Sequence, residues 1–196
     1  MSFSEKPVYY FDRPGKDNSH DAANIAVKRA QELGISTIVV ASTTGETAKI
    51  FAEAMENTGI HLVVVTHAVG FREPGVWEFD TDLLSYFKEQ GADVVTGTHV
   101  LSGLERALSG NPKVGGGSRT DVIAETLRRT IAIGLKVAVE CTLIAADQGK
   151  VPVDREVIAV GGTAQGADTV CVVLPANTAR YFDLQVREIV AMPRNR

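Results

Sequence analysis

At 196 residues the chain suits one domain, spanning 1–196, with enough length to bury a good core. Apolar residues make up 44%, charged residues 22% and the formal net charge is −4; that mild acidity, with no basic stripe or repeated aromatic platform, argues against a nucleic-acid partner. The N-terminus shows no charged-then-apolar leader, and the longest apolar region, Ile131 to Ala146, is interrupted by Lys136 and Glu140, so we expect a cytoplasmic protein with no membrane partner.

Residues 1 to 17 carry Tyr9, Tyr10, Phe11 and the turn-like Arg13-Pro14-Gly15, which reads as a short ordered arm. Asn18 or Ser19 can cap a helix that runs to Leu33 with Gly34 as its stop. A first strand follows, Ser36 to Ala41, and ends in a burst of hydroxyls, Ser42-Thr43-Thr44-Gly45-Glu46-Thr47. Ile50, Ala52, Ala54 and Met55 then recover a helical pattern, so this is strand, tight loop, helix.

The hydroxyl loop therefore sits at a helix N-terminus, where backbone N–H groups lack intrahelical partners and the macrodipole is positive. Ser42, Thr43, Thr44 and Thr47 add up to four donors, which suits a phosphate. Thr43-Thr44-Gly45-Glu46 also fits a capping box, most simply with Thr43 as the cap, and that needs no ligand. Surplus separates the two readings: one cap needs one hydroxyl, and four crowd this turn. The loop has neither the lysine and spacing of a Walker A motif nor G-x-G-x-x-G, so a nucleoside triphosphatase is not indicated.

His61 to Thr66 gives a second, fully buried strand, and strands alternating with helices imply a parallel sheet with right-handed crossovers. His67 to Asp82 is a long loop whose Phe71, Trp77 and Phe79 can cover a planar ligand or pack on a neighbouring subunit. Asp82 begins a helix to Gln90, and Ala92 to Thr96 forms a third strand. His67 and His99 both follow strands, at the edge where open α/β sheets bind ligands, and are the candidate catalytic residues; a histidine merely hydrogen-bonded within its loop is the competing reading.

Leu101 to Leu108 makes a short helix, and the loop around Gly115, Gly116 and Gly117 is either an anion-binding nest or a linker capped by Ser118 with Asp121. Helices from Thr120 to Ile133 and Leu135 to Gln148 follow, the second apolar nearly all round and so buried in the domain or in a subunit contact. Together with the aromatic loop it offers more apolar surface than a lone domain needs, which points to a homo-oligomer.

Glu156 to Val160 is a fourth strand, followed by Gly161-Gly162-Thr163-Ala164-Gln165-Gly166-Ala167-Asp168. The glycines Gly161, Gly162 and Gly166 let backbone approach a ligand, and Thr163 and Asp168 offer polar contacts; the same stretch also fits a tight hairpin to an antiparallel fifth strand, Thr169 to Leu174. Leu184 to Val190 reads as a last short strand. Cys141 and Cys171, each among apolar residues, read as buried reduced thiols, and no spacing suggests a metal site.

The stretch Val39 to Ala48, in its strand-to-helix setting, resembles the C-terminal α/β domain of pyruvate kinase. In regulated pyruvate kinases the corresponding loop grips a phosphate of fructose 1,6-bisphosphate, a role the resemblance assigns to Ser42, Thr43, Thr44 and Thr47, with Gly45 in the same turn. The chain has no room for the kinase's catalytic barrel, so phosphoryl transfer from phosphoenolpyruvate is not implied.

A closer likeness is to stand-alone, largely uncharacterised proteins, common in archaea, that consist of this domain alone; Tyr10 to Lys16, Ser42 to Thr47, Thr66-His67, Gly115 to Gly117, Gly161 to Asp168 and Phe182 to Leu184 carry it. The resemblance implies a three-layer α/β/α fold with a mostly parallel sheet of five to six strands, order 3-2-1-4-5 and the last strand antiparallel. It also suggests flavin mononucleotide (FMN) as a cofactor. On that order the loops after strands one and four flank the topological switch point. The leading expectation is a binder of FMN or a sugar phosphate. An enzyme acting on a phosphorylated or flavin-linked substrate, and a regulatory or assembly module without ligand, are the alternatives, since no motif fixes a reaction.

Overall fold

The computed structural model describes residues 3–195. Seven strands form one sheet: β1 (Tyr9–Phe11), β2 (Thr37–Ala41), β3 (His61–Thr66), β4 (Asp93–Thr96), β5 (Val157–Gly161), β6 (Thr169–Leu174) and β7 (Gln185–Pro193). Six α-helices accompany them: α1 (Ser19–Leu33), α2 (Glu46–Ala54), α3 (Thr81–Glu89), α4 (Gly103–Ser109), α5 (Arg119–Thr130) and α6 (Ile133–Asp147). The strand order is β1-β7-β6-β5-β2-β3-β4. Its inner part, β4-β3-β2-β5-β6, is the expected 3-2-1-4-5, and β6 lies antiparallel to both β5 and β7.

The sheet has seven strands rather than five or six, because the N-terminal arm contributes β1. That strand pairs in parallel with the far end of the chain, Tyr9 beside Ala191 and Phe11 beside Pro193. A three-residue segment gains ladder hydrogen bonds there that no local pattern announces.

The central strands β2, β3, β5 and β6 are apolar on both faces, so alternation decides which layer each residue joins. Ile38 and Val40 point to a core shared with Ala23 and Ala26 of α1, Phe51 of α2 and Phe87 of α3. Val39, Val63 and Ala159 point the other way, onto Leu135, Val139 and Leu143 of α6 and Ala124 of α5. Leu135 to Ala146 of α6 are thus covered almost entirely inside the chain, and Ile133 at the helix start is the one apolar residue of α6 left exposed. Gly34 ends α1 in the left-handed conformation (φ 66°), as its position at the end of the apolar pattern predicts.

Because β2, β3, β4 and β5 are mutually parallel, their C-terminal ends reach one edge. The helices after β2 and β3 lie on one face and α5 and α6 on the other; the loop after β2 leads into α2 while that after β5 turns back into the hairpin to β6, and a crevice opens at the edge they share. No helix among the described residues is long and apolar enough to cross a membrane.

Candidate functional site

The crevice at this edge encloses about 840 Å³. It brings together Ser42, Thr43, Thr44 and Thr47 after β2, His67 after β3, His99 after β4, and Gly162 and Gly166 after β5. Sequence reasoning placed these on separate loops; the parallel sheet unites them.

The loop is held by its own residues. Ser42 is buried (5% exposed) and its Oγ accepts from the Gly45 and Ala48 N–H groups at 3.2 and 3.3 Å. Gly45 stands at the N-cap in a left-handed conformation (φ 104°), and an added Cβ would lie 2.8 Å from Leu83 Cδ1. The Asp80 N–H donates to the Thr44 carbonyl at 3.0 Å and pins the loop to the start of α3. The hydroxyl that serves the first turn of α2 is therefore that of Ser42 and not of Thr43: with Gly45 as the N-cap residue, it is Ser42 Oγ that lies under the turn and accepts from the Ala48 N–H. Ser42→Ala is expected to cost about 1 kcal/mol of stability in urea denaturation, and Thr43→Ala well under half of that.

With the cap filled, Thr43, Thr44 and Thr47 keep side chains in the crevice. Thr43 Oγ1 lies 3.4 Å from His67 Nε2, and the opposite ring nitrogen of His67, Nδ1, is 2.9 Å from Glu78 Oε2. Arg72 Nε meets the other oxygen of Glu78 at 3.1 Å. Burial pushes His67 below the ordinary histidine range, with the bond to Glu78 opposing it.

His99 has a second carboxylate behind it. Its Nδ1 is 3.5 Å from Glu140 Oε2, the Lys136 Nζ is 2.5 Å from the same oxygen, and the Leu101 N–H donates to Oε1 at 2.8 Å. Burial alone would raise the Glu140 carboxyl; the bond from His99, the charge of Lys136 and the Leu101 amide outweigh it and hold the group at about 2. His99 Nε2 is buried with no hydrogen-bond partner, which costs about 1–3 kcal/mol in a site that stays closed. Phe71 lies against both imidazoles, its ring centroid 4.1 Å from that of His67 and 4.5 Å from that of His99.

Other expected site residues lie elsewhere. Asp168 is fully buried, and its Oδ2 accepts from the Gly15 and Thr163 N–H groups at 2.9 and 3.0 Å, while Thr169 donates to Oδ1. Its carboxylate ties the hairpin to the arm and is not free for a ligand. Gly161 is packed beneath α6, and Gly161, Thr163 and Gly45 do not line the crevice. Ser19 does not cap α1; it accepts from Ala167 N–H at 3.0 Å and donates to the Lys16 carbonyl, so it too fastens the hairpin to the arm. Trp77 and Phe79 stack on each other against the core, and the indole N–H donates to Thr66 Oγ1, leaving Phe71 as the aromatic over the histidines. The Gly115 to Gly117 loop lies outside the crevice and precedes a helix capped by Ser118, whose Oγ accepts from Asp121 N–H. Cys141 and Cys171 are buried free thiols, as expected.

Missed by sequence reasoning were Lys16, Arg72, Arg106, Arg128 and Lys136 on the walls, and Glu78 and Glu140 behind the histidines. Only the Lys136–Glu140 pair left a signal. Opposite charges four residues apart in an otherwise apolar helix require each other once that helix is buried.

Fold and site together define a three-layer α/β protein with a crevice at the sheet's edge whose lining is part apolar and part polar, and carries both cations and the carboxylates Asp17 and Glu46. A family model described as "Pyruvate kinase, alpha/beta domain" matches residues 20–173, and the chain belongs to that family. The match includes the hydroxyl loop, both histidines and the glycine-rich hairpin.

Proposed function

We propose that the chain binds a phosphate-bearing small molecule, FMN or a sugar phosphate, with the phosphate on the loop after β2. The observation that carries this reading is surplus after capping. Ser42 alone serves α2, yet Thr43, Thr44 and Thr47 remain at the positive end of that helix and line the crevice. Lys16 borders the same space and favours an anionic ligand; Arg106 and Arg128 border it too, each paired with a carboxylate, Asp121 and Glu125, while Phe71 offers an apolar face to a ring.

Hydrogen bonds to a charged phosphate contribute about 1.5–3 kcal/mol each, so Thr44→Ala should weaken a phosphorylated ligand roughly 10- to 100-fold. Thr44 is exposed and holds its neighbour Asp80 through its backbone carbonyl only, so the fold should scarcely notice. Calorimetric titration with FMN and with sugar phosphates, beside a melting curve, checks both halves. Affinity unchanged by Thr44→Ala and by Thr47→Ala would exclude the loop as the phosphate site.

A further inference from the structure

The two histidines share one arrangement. Each has Nδ1 facing a carboxylate, Glu78 at 2.9 Å for His67 and Glu140 at 3.5 Å for His99. An ionised carboxylate takes the Nδ1 hydrogen, so in the neutral ring Nε2 carries the lone pair. For His67 that lone pair faces Thr43 and the loop proposed for the phosphate. For His99 it is buried and unpartnered, an acceptor with no donor. The ring centroids are 5.2 Å apart, and buried Lys136 lines the same crevice.

We propose that this crevice catalyses proton transfer on a phosphorylated α-hydroxy carbonyl compound, an aldose or ketose phosphate, with His67 as the base. The proposal rests on the phosphate reading above. His67 Nε2 takes the hydrogen of the carbon next to the carbonyl as a proton. The C–H electron pair becomes the carbon–carbon double bond of an enediolate, and the carbonyl π pair moves onto oxygen, opposite the Lys136 ammonium. Return of the proton from the imidazolium to the same carbon completes an exchange; its delivery to the other carbon, with the hydroxyl proton passing from the neighbouring oxygen to the enolate oxygen, completes an isomerisation. His99 Nε2 accepts a hydrogen bond from a substrate hydroxyl, the donor it lacks, once Phe71 swings aside. Only protons move, so no co-reactant is needed. A ring locked at Nδ1 acts at Nε2 as a proton acceptor, which suits this step better than hydride or phosphoryl transfer. Nucleophilic thiols are absent from the scheme because burial pushes Cys171 to about 12 and Cys141 higher still.

The test is incubation of the protein in deuterium oxide with dihydroxyacetone phosphate, ribulose 5-phosphate or fructose 6-phosphate, watching proton NMR for loss of the C–H signal beside the carbonyl. Calorimetry with the same three probes runs in parallel. At least one probe should bind and exchange well above its rate in buffer, and the rate should climb with pH and level off below about 6.5, the ordinary histidine value, because burial lowers His67. His67→Gln should slow exchange by about 100- to 10,000-fold while affinity changes only a few-fold, with His67→Asn as the substitute if that variant misfolds. Glu78→Gln, which alters positioning, should move the pH limb as well as the rate. A probe that binds wild type without exchanging overturns the proposal and leaves the phosphate reading standing. Exchange equally fast in His67→Gln also overturns it. Binding of none of the three removes the substrate class proposed here, while FMN binding tests the phosphate reading by itself.

Discussion

Glu140→Leu is expected to destabilise the fold by about 3–5 kcal/mol. Lys136 and Glu140 face each other on consecutive turns of α6, 3% and 4% exposed, with Nζ and Oε2 2.5 Å apart. Removing the carboxylate strands an ammonium in an apolar layer and takes the acceptor from the Leu101 N–H. The double variant Lys136→Met/Glu140→Leu should recover the part of the loss that comes from the stranded ammonium and leave the part that comes from the unpaired Leu101 N–H, since two apolar side chains of similar size leave no uncompensated charge. Urea denaturation of the three variants decides this, and a double variant no better than the single would contradict the charge argument.

The same pair sets an acid limit. Glu140 is held at about 2 against an ordinary value of 4.5, so the folded state releases this proton more readily than the unfolded one. Its stabilisation is complete above about 4.5 and is lost as the pH falls through about 2. Wild type should therefore lose more stability over that window than the double variant.

Gly161→Ala should cost about 3 kcal/mol or more, equivalent to roughly 6–12 °C in Tm for a domain of this size. An added Cβ would overlap the Gly134 carbonyl oxygen and fall 2.8 Å from the Ala138 nitrogen. Both are backbone atoms of α6, which has no rotamer by which to yield. Gly134 is tight in turn, since its own Cβ would stand 2.8 Å from Asp168 Oδ1. The helix and β5 thus approach glycine to glycine, and separating them would open the crevice floor. Gly117→Ala, where a Cβ meets nothing within 4 Å, is the control and should melt like wild type.

Local pattern made much of this fold legible. Apolar runs rich in β-branched residues marked β2, β3 and β6, Gly34 marked the end of α1, and the glycine-rich stretch after β5 proved to be the hairpin to an antiparallel β6. What local pattern does not carry is a partner distant in the chain. β1 was hidden because Tyr9–Phe11 pairs with β7 at the opposite terminus. Asp168 looked like a ligand contact because one of its three partners, Gly15 N–H, comes from the distant arm and the others, Thr163 and Thr169, take up its carboxylate only once the hairpin has formed.

The site divides in the same way. Ser42, Thr43, Thr44, Thr47, His67 and His99 were recognisable because strand ends in a parallel sheet share an edge. Glu78 and Glu140, which orient the histidines, were invisible until the loop and α6 were folded against them. Mistaking Thr43 for the cap has a simpler origin. The capping-box pattern counts residues, whereas the left-handed Gly45 shifts the helix start and hands the role to Ser42. Of the two apolar segments expected to seat a second copy, α6 is covered within the chain apart from Ile133, and the exposed part of the aromatic loop, Val69, Phe71 and Val76, is what faces outward.

The phosphate site is tested most directly by titrating FMN and riboflavin separately into the wild-type protein, because the two differ only in the phosphate group. The account predicts that FMN binds at least about 100-fold more tightly, as expected when two or more charged hydrogen bonds of about 1.5–3 kcal/mol are present in one complex and missing from the other. Equal affinities for FMN and riboflavin would contradict it.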